Sequence, residues 1–364
     1  MMSCSRVRRS CEMRQMLSAV LFAAVAPAAL AQAPSTLGVM FRTGGQTSGL
    51  NPILYDVNLS TGATSNPRNI NVNNAVGIAI DPETGVLYGL TDQFGRINNQ
   101  SGQGGKNLIF TVNATTGAAT AVGRVDPTGI FQVFEGDIAF NPVDGGFWGV
   151  TTLVSTARLF TIDKLNGSAA LGAVVQPALG GIDLDISALT FDATGQMYLL
   201  DTRYPFNPGP ALLLKVDKDT GEIQQSWNTG VVMGTVAGMT FVDGKLYITD
   251  GDTGGTNRLY RFDIDTGQII DIGATNAAGG IYQGLAGLVH GCIGGPCPTA
   301  GCDDIDFNNN DVFPEDQDVI DFFEVLAGAS CAACNDIDFN NNGVFPEDQD
   351  VIDFFNVLAG GNCQ

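Results

Sequence analysis

The amino-acid sequence predicts an all-β fold built from five repeats, followed by a small helical tail. Three observations support this prediction: a turn motif that recurs five times, a total of 47 glycines, and an abrupt change of composition near residue 300. Glycine-rich chains with many turn signals are typical of numerous short strands. Hydrophobic residues make up 44% of the chain, which is sufficient for a sizeable core.

The N-terminal segment predicts secretion. Four arginines precede an apolar run, Met16 to Ala28, that closes on Ala29-Leu30-Ala31, which is the layout of a signal peptide over residues 1–31. The run is shorter than the roughly 20 residues that span a bilayer, and a retained amphipathic anchor is the alternative. We therefore expect a mature chain that starts near Gln32, has no transmembrane anchor, and is extracellular or associated with the cell surface.

The charge of the chain bears on its partners. The segment 1–31 carries four arginines and one glutamate, so its removal changes the formal charge from −21 to −24. A protein with this charge repels phosphate backbones. We therefore expect no nucleic-acid partner.

A turn motif divides residues 32–291 into five repeats. Each copy has apolar residues, Asp or Asn, two further residues, Thr or Asn, and Gly; the copies are Leu54–Gly62, Ile109–Gly117, Leu159–Gly167, Leu213–Gly221 and Leu259–Gly267. The closing glycines are 55, 50, 54 and 46 residues apart, close to the spacing of propeller blades. Such turns fit hairpins in which glycine takes positive φ.

A second motif between these copies supplies two more strands in each repeat, as in Gly77 to Thr91. The fifth repeat lacks its last strand, whereas Thr36 to Thr43 near the N-terminus resembles one. The N-terminal strand would then complete the last blade and remove the exposed edges. The sequence therefore predicts a propeller of five four-stranded blades; an additional irregular blade or a β-sandwich are the alternatives. The repeats resemble those of secreted bacterial propellers, which implies a fold and no particular activity.

The tail, residues 302–364, follows a Cys/Gly/Pro linker, residues 292–301. It carries fifteen acidic side chains and no Lys or Arg, and it is a duplication with a period of 32 residues, in units 302–331 and 334–363. An EF-hand loop binds calcium through positions 1, 3, 5, 7 and 12. The corresponding first four positions are Asp306, Asn308, Asn310 and Val312 in one unit, and Asp338, Asn340, Asn342 and Val344 in the other.

Position 12 is Gln317 in the first unit and Gln349 in the second. The closing carboxylate is therefore expected from a neighbour: Asp316 or Asp318 in the first unit, and Asp348 or Asp350 in the second. A helix is predicted after each loop, since Pro314-Glu315-Asp316 favours a helix start and an apolar stripe follows.

Two tandem loop-helix units at a C-terminus resemble a dockerin. This resemblance implies a calcium-folded module that docks onto a cohesin-like or envelope protein, although the family has an acid at position 12. The alternatives are an acidic tail that binds no metal and a tail that serves only as a sorting signal.

Six cysteines lie in the linker and tail: Cys292, Cys297, Cys302, Cys331, Cys334 and Cys363. An exported protein can oxidise such clustered thiols. The simplest pairing closes each unit, Cys302–Cys331 and Cys334–Cys363, with Cys292–Cys297 as a third bridge, although six cysteines allow fifteen connectivities. A zinc site is the competing interpretation.

No catalytic motif is present in the sequence. His290 is the only histidine and lies at a strand end, and Asp201, Asp250 and Asp252 lie near predicted blade loops. The sequence favours a non-catalytic binding or scaffold protein whose propeller binds an unknown ligand and whose tail attaches it to an extracellular assembly. The alternative is an extracellular propeller hydrolase or lyase that acts on polysaccharide or phosphoester by carboxylate chemistry.

Overall fold

A computed structural model describes part of the chain: residues 35–40, 52–92, 95, 107–125, 133, 136–153, 156–176, 184–203, 209–234, 236–251, 257–275, 285–291, 293, 302–303, 305–310, 312, 315–331, 333–340 and 347–359. The described residues all belong to one unit of the chain, Gln32–Gln364, and residues 1–31 lie outside the described part. No helix among the described residues is long and apolar enough to cross a membrane.

The described residues form twenty strands and two helices. The strands are β1 (Ser35–Met40), β2 (Ile53–Val57), β3 (Thr64–Asn69), β4 (Ala75–Ile80), β5 (Leu87–Thr91), β6 (Leu108–Val112), β7 (Ala119–Arg124), β8 (Gly136–Phe140), β9 (Phe147–Leu153), β10 (Thr156–Ile162), β11 (Ala169–Val174), β12 (Ile186–Phe191), β13 (Met197–Asp201), β14 (Pro210–Val216), β15 (Ile223–Val232), β16 (Val236–Val242), β17 (Lys245–Gly251), β18 (Arg258–Phe262), β19 (Ile269–Ala274) and β20 (Leu285–Gly291). The helices are α1 (Asp316–Leu326) and α2 (Asp348–Leu358).

The strands form five antiparallel four-stranded sheets. Four of them are continuous in sequence, β4 to β7, β8 to β11, β12 to β15 and β16 to β19, and the fifth has the order β20-β1-β2-β3. The first strand of each sheet contacts the first strands of its neighbours, which closes the ring. The five-bladed propeller and its closure by the N-terminal strand are therefore confirmed.

The predicted hairpin turns also form. The glycines that close the five turn motifs, Gly62, Gly117, Gly167, Gly221 and Gly267, have φ between 71° and 76°. In each motif the turn joins the two outer strands of one blade, and the second motif joins the two inner strands of the next. The sequence repeat is therefore shifted by half a blade from the structural one.

The inner strands approach one another closely around the ring. A Cβ on Gly77 would collide with Asp137, and one on Gly238 would collide with the backbone at Leu288. Asp137 is 1% exposed, and its carboxylate accepts amide N–H groups from Ile138 at 2.8 Å, from Leu189 at 3.2 Å and from Ile78. One carboxylate thus joins three consecutive blades. Burial nevertheless raises its pKa well above the usual range.

Aromatic side chains fill the space between blades. Tyr88 lies with its ring centroid 5.6 Å from Phe140 and 5.3 Å from Phe147, both in the next blade. Tyr198 makes the equivalent contact with Phe241 at 5.2 Å. The side chains of Tyr88 and Tyr198 are buried. Tyr88 and Tyr198, which occupy the same position of the second motif, therefore both pack between blades.

The tail has a hydrophobic core of its own. The buried side chains are Ile305, Phe307, Phe322, Ile337, Phe339 and Phe354. Phe322 and Phe354 occupy equivalent positions of the two units and stack at 4.1 Å. The backbone N–H of Asp303 donates to Phe339, and the equivalent N–H of Asn335 donates to Phe307. These reciprocal contacts pair the two units across a local pseudo-twofold axis.

Candidate metal centre

The first loop of the tail begins with a buried aspartate. Asp306 is 6% exposed, and its Oδ1 accepts the backbone N–H of Asn310 at 3.0 Å. Asn310 Oδ1 in turn accepts the N–H of Val312 at 2.8 Å. These local hydrogen bonds curve the chain over the predicted ligand positions 1 to 7, as Asp and Asn side chains do in turns.

Each loop ends in a capping box at the start of the following helix. The Glu315 side chain accepts the backbone N–H of Asp318, while Asp318 Oδ2 accepts the N–H of Glu315 at 3.3 Å. Glu347 and Asp350 repeat the arrangement at 3.1 Å. Here Glu-x-x-Asp makes the reciprocal hydrogen bonds of a capping box in place of its usual Ser/Thr-x-x-Glu/Gln, and sequence reasoning missed it.

The capping box determines which acid faces the interior. Asp318 and Asp350 are fully buried, whereas Asp316 and Asp348 are exposed on the first turn of each helix. In the second unit, Asp350 Oδ1 also lies 3.5 Å from the backbone nitrogen of Asn340, at loop position 3. Of the two candidates for the closing carboxylate, the one that follows the glutamine is buried in both units, and in the second unit it contacts the loop.

Two oxygens of the first loop have no donor. Asn308 Oδ1 and Asp318 Oδ1 are buried and accept no hydrogen bond. A buried polar group in this state costs on the order of 1–3 kcal/mol, and more when it is charged. Each of these oxygens can accept a cation, so the residue types present fit a metal ion.

The second loop concentrates negative charge. Asp338, Asp350 and Asp353 are at most 8% exposed. Burial raises the pKa of Asp350, and the neighbouring charges of Asp338 and Glu347 raise it further, against the hydrogen bonds from the amides of Glu347 and Asn340. A cation would offset this repulsion.

The oxygens in these loops come from several kinds of group. Among the described residues no three His, Cys, Asp or Glu side chains cluster as they would at a carboxylate-only or thiolate metal site. Asparagine oxygens stand beside the aspartates, and calcium accepts such a mixture of carboxylate and amide oxygens. Two of the predicted ligands, Asn342 and Val344, lie outside the described residues.

The disulfide pairing predicted for the tail is wrong. Cys331 bonds to Cys334, with 5.3 Å between their Cα atoms, so neither residue closes its own unit. The short turn between the units brings these two cysteines within bonding distance, which spacing along the chain does not reveal. Cys302 is also disulfide-bonded, while Cys292, Cys297 and Cys363 lie outside the described residues.

Two aspartates of the propeller, near the ends of β13 and β17, accept hydrogen bonds from backbone amides. Asp201 Oδ1 accepts the N–H groups of Asp185 and Arg203 at 2.9 and 3.0 Å, and Asp250 Oδ1 accepts that of Gly234 at 2.9 Å. Both side chains are fully buried. Burial raises the pKa of Asp201 to about 6, and the nearby Asp185 contributes. Asp252 lies outside the described residues.

A cavity of about 380 Å³ opens at the other end of the inner strands. A ring of equivalent residues lines it: Ile80, Phe140, Phe191, Phe241 and His290. His290 Nδ1 lies 2.8 Å from Thr36 Oγ1, which joins β20 to β1. Burial lowers the pKa of this histidine, so its neutral form is favoured.

Part of the propeller matches a known repeat family. A family model described as a repeat of unknown function (DUF6923) matches residues 137–294. No curated protein matches the chain.

Several solved structures match part of this chain at low identity and low TM-score. A protein of unknown function from Bacteroides caccae is 14% identical with a TM-score of 0.41, and the match covers 71% of this chain and 99% of that one. TolB from Acinetobacter baumannii is 15% identical with a TM-score of 0.38, covering 69% and 53%. An exo-β-1,3-galactanase from Clostridium thermocellum is 12% identical with a TM-score of 0.39, covering 54% and 48%. The chain thus spans only about half the length of these last two proteins. It is a β-propeller repeat protein whose residues 137–294 match the DUF6923 repeat.

Proposed function

We propose that this chain is a secreted, non-catalytic binding or scaffold protein, attached to an extracellular or cell-surface assembly by a calcium-binding, dockerin-like tail. The observation that carries the proposal is the pair of buried oxygens in the first loop, Asn308 Oδ1 and Asp318 Oδ1, which accept no hydrogen bond. The duplication of the loop residues in the second unit supports two ions.

We propose the ion ligands from the loop spacing, and the burial of Asp318 and Asp350 supports the choice of closing carboxylate. In the first unit they are Asp306, Asn308, Asn310, the Val312 carbonyl and Asp318; in the second they are Asp338, Asn340, Asn342, the Val344 carbonyl and Asp350. A calcium ion is the positively charged partner of these oxygens. Because Asp318 and Asp350 also hold the first turns of α1 and α2, ion binding stabilises loop and helix together.

The helices present an apolar face for a partner. Ile320, Phe323, Ile352 and Phe355 are between 41% and 49% exposed, and the rings of Phe323 and Phe355 lie 6.0 Å apart. The surrounding tail has acidic and no basic residues. A cohesin-like or envelope protein with an apolar centre and a basic rim fits this face.

The cavity at the end of the inner strands is the propeller's ligand site in this proposal. Its volume lies in the range of small-molecule sites, and its lining is mostly apolar with a few polar groups, as such sites are.

Calcium titration of the mature chain from Gln32 tests the proposal. We expect two sites in calorimetry, and loss of both in a variant with Asp318→Asn and Asp350→Asn. Each asparagine retains an oxygen for the capping amide. The control, Asp316→Asn with Asp348→Asn, removes the same charge from the exposed positions and retains both sites. Absence of binding at millimolar calcium would contradict the proposal.

A retention experiment tests attachment. We expect an envelope extract to retain the protein in calcium and release it in chelator, and we expect Phe323→Ser with Phe355→Ser to abolish retention without loss of calcium binding. If the protein binds calcium but is not retained, the result would contradict attachment and favour a tail that serves only as a sorting signal.

A further inference from the structure

The glutamines at loop position 12 have a defined place in the structure. Gln317 Nε2 donates to Asp321 Oδ1 at 2.8 Å, and Gln349 Nε2 donates to Asp353 Oδ2 at 3.1 Å. Each acceptor lies one helical turn after its glutamine. The residue that would close an ordinary EF-hand loop is thus directed along the helix, toward an aspartate that the sequence analysis did not single out.

These aspartates reach back to loop position 3. Asp321 Oδ2 accepts the side-chain amide of Asn308 at 2.9 Å, and Asp353 Oδ2 accepts that of Asn340 at 3.2 Å. The same three residue types make the same contacts in both units. The arrangement therefore occurs twice, in units that differ at position 6 of the loop, Asp311 and Gly343.

The contact determines which end of the asparagine amide is available. An asparagine side chain can present either its NH₂ group or its oxygen, and only the oxygen can bind a cation. Asn308 Nδ2 donates to Asp321, so Asn308 Oδ1 is the end of the amide that remains for a cation. Asn308 Oδ1 is one of the two buried oxygens without a donor.

We infer that Gln317–Asp321–Asn308 and Gln349–Asp353–Asn340 are positioning relays that present the asparagine oxygens to calcium. The inference rests on the proposed function. The glutamine and the aspartate act through the asparagine, as outer hydrogen-bond partners orient ligands at other metal sites. In these loops position 12 orients a ligand, while the next residue supplies the carboxylate.

The first test replaces both glutamines by methionine in the mature chain, which removes the hydrogen bond without changing charge. Outer partners of metal ligands typically contribute 10- to 100-fold to affinity, so we expect calcium affinity in calorimetry to fall at least about tenfold. We expect the thermal transition of the tail in chelator to be unchanged, since Gln317 is exposed and Gln349 is half-buried.

The second test compares Asp321→Asn with Asp316→Asn in α1. Both variants lose one charge from the same helix, but only Asp321 contacts Asn308. We expect a larger loss of affinity at the first site for Asp321→Asn, with the second site unaffected.

The outcomes separate the two proposals. Absence of calcium binding by the wild-type chain would overturn the proposed function. A wild type that binds, with glutamine variants of equal affinity, would overturn the relay alone. Loss of affinity with an equal loss of stability in chelator would also overturn it, because the glutamines would then only support the helix.

Discussion

Asp201 and Asp318 show how differently two buried carboxylates can be recognised from sequence. Asp318 follows a loop of regularly spaced Asp and Asn residues, so its neighbourhood is predictable from the chain alone. Asp201 ends β13, and its burial depends on a neighbouring segment that supplies the amide of Asp185. Its raised pKa is a property of tertiary structure, which local sequence does not contain. Asp321 was missed for a similar reason, because only the fold brings it to Asn308.

Asp201 makes the stability of the propeller depend on pH. Its pKa of about 6 in the folded protein lies above the 3.8 of an unperturbed aspartate, so the folded state holds the proton more tightly. The stability that Asp201 contributes to the folded state is fully present below about pH 4 and is lost as pH rises through about 6. We expect Asp201→Asn to gain stability relative to wild type over this interval, by up to about 3 kcal/mol.

Denaturant unfolding at pH 4 to 7, followed by tryptophan fluorescence, measures this difference. Both tryptophans, Trp148 and Trp227, belong to the propeller. Asp219→Asn, at an exposed position, is the control and should parallel wild type. If the stability of Asp201→Asn changes with pH in parallel with that of wild type, the raised pKa of Asp201 is contradicted.

The same variant tests catalysis. Any hydrolase activity that is lost on this substitution would favour a carboxylate enzyme over a binding protein.

At the scale of elements, strands and helices were predictable because their signals are local. Turn glycines and alternating apolar residues mark the strands, and a proline-acid start with an apolar stripe marks α1 and α2. The bridge between Cys331 and Cys334 was not predictable, because bonding depends on where the backbone turns. The pairing of the two tail units was likewise hidden, since repetition alone does not say that equivalent residues meet.

The stacked pair Phe322 and Phe354 should hold α1 and α2 together. We expect Phe354→Ala to cost about 3–5 kcal/mol, the range for a buried Phe truncated to Ala, and to reduce the helical signal in circular dichroism. Phe355→Ala, one residue later and 42% exposed, is the matched control with an effect under about 1 kcal/mol. Equal effects of the two variants would argue against a shared core.

At the scale of the whole molecule, the ring is closed by the first and last strands of the propeller, in which the paired residues Thr36 and His290 are 254 positions apart in sequence. β1 lies between β20 and β2 and pairs with both. The sequence predicted this closure because one strand motif was missing at one end and present at the other. It did not predict the contact of Asp137 with three blades, since the equivalent positions in the neighbouring strands are Gly or Ala and carry no matching signal.

Disruption of β1 should therefore destabilise the whole propeller. Val39 is fully buried in that strand, and we expect Val39→Asp to lower the denaturation midpoint sharply by placing an unpaired charge in the core. Val232→Asp, at a 45% exposed position of β15, should change it little. The measurement is tryptophan fluorescence during denaturant unfolding. A Val39→Asp variant with the wild-type midpoint would show that the ring does not depend on its closing strand.

The half-blade offset between sequence repeat and blade has a consequence for how such proteins change in evolution. One repeat contains the outer pair of strands of one blade and the inner pair of the next, so duplication or loss of a repeat of about 50 residues alters the number of blades by one whole unit. The first and last strands of the propeller still share the closing blade after such an event. Ring size can therefore vary among descendants without an intermediate that exposes an unpaired strand edge.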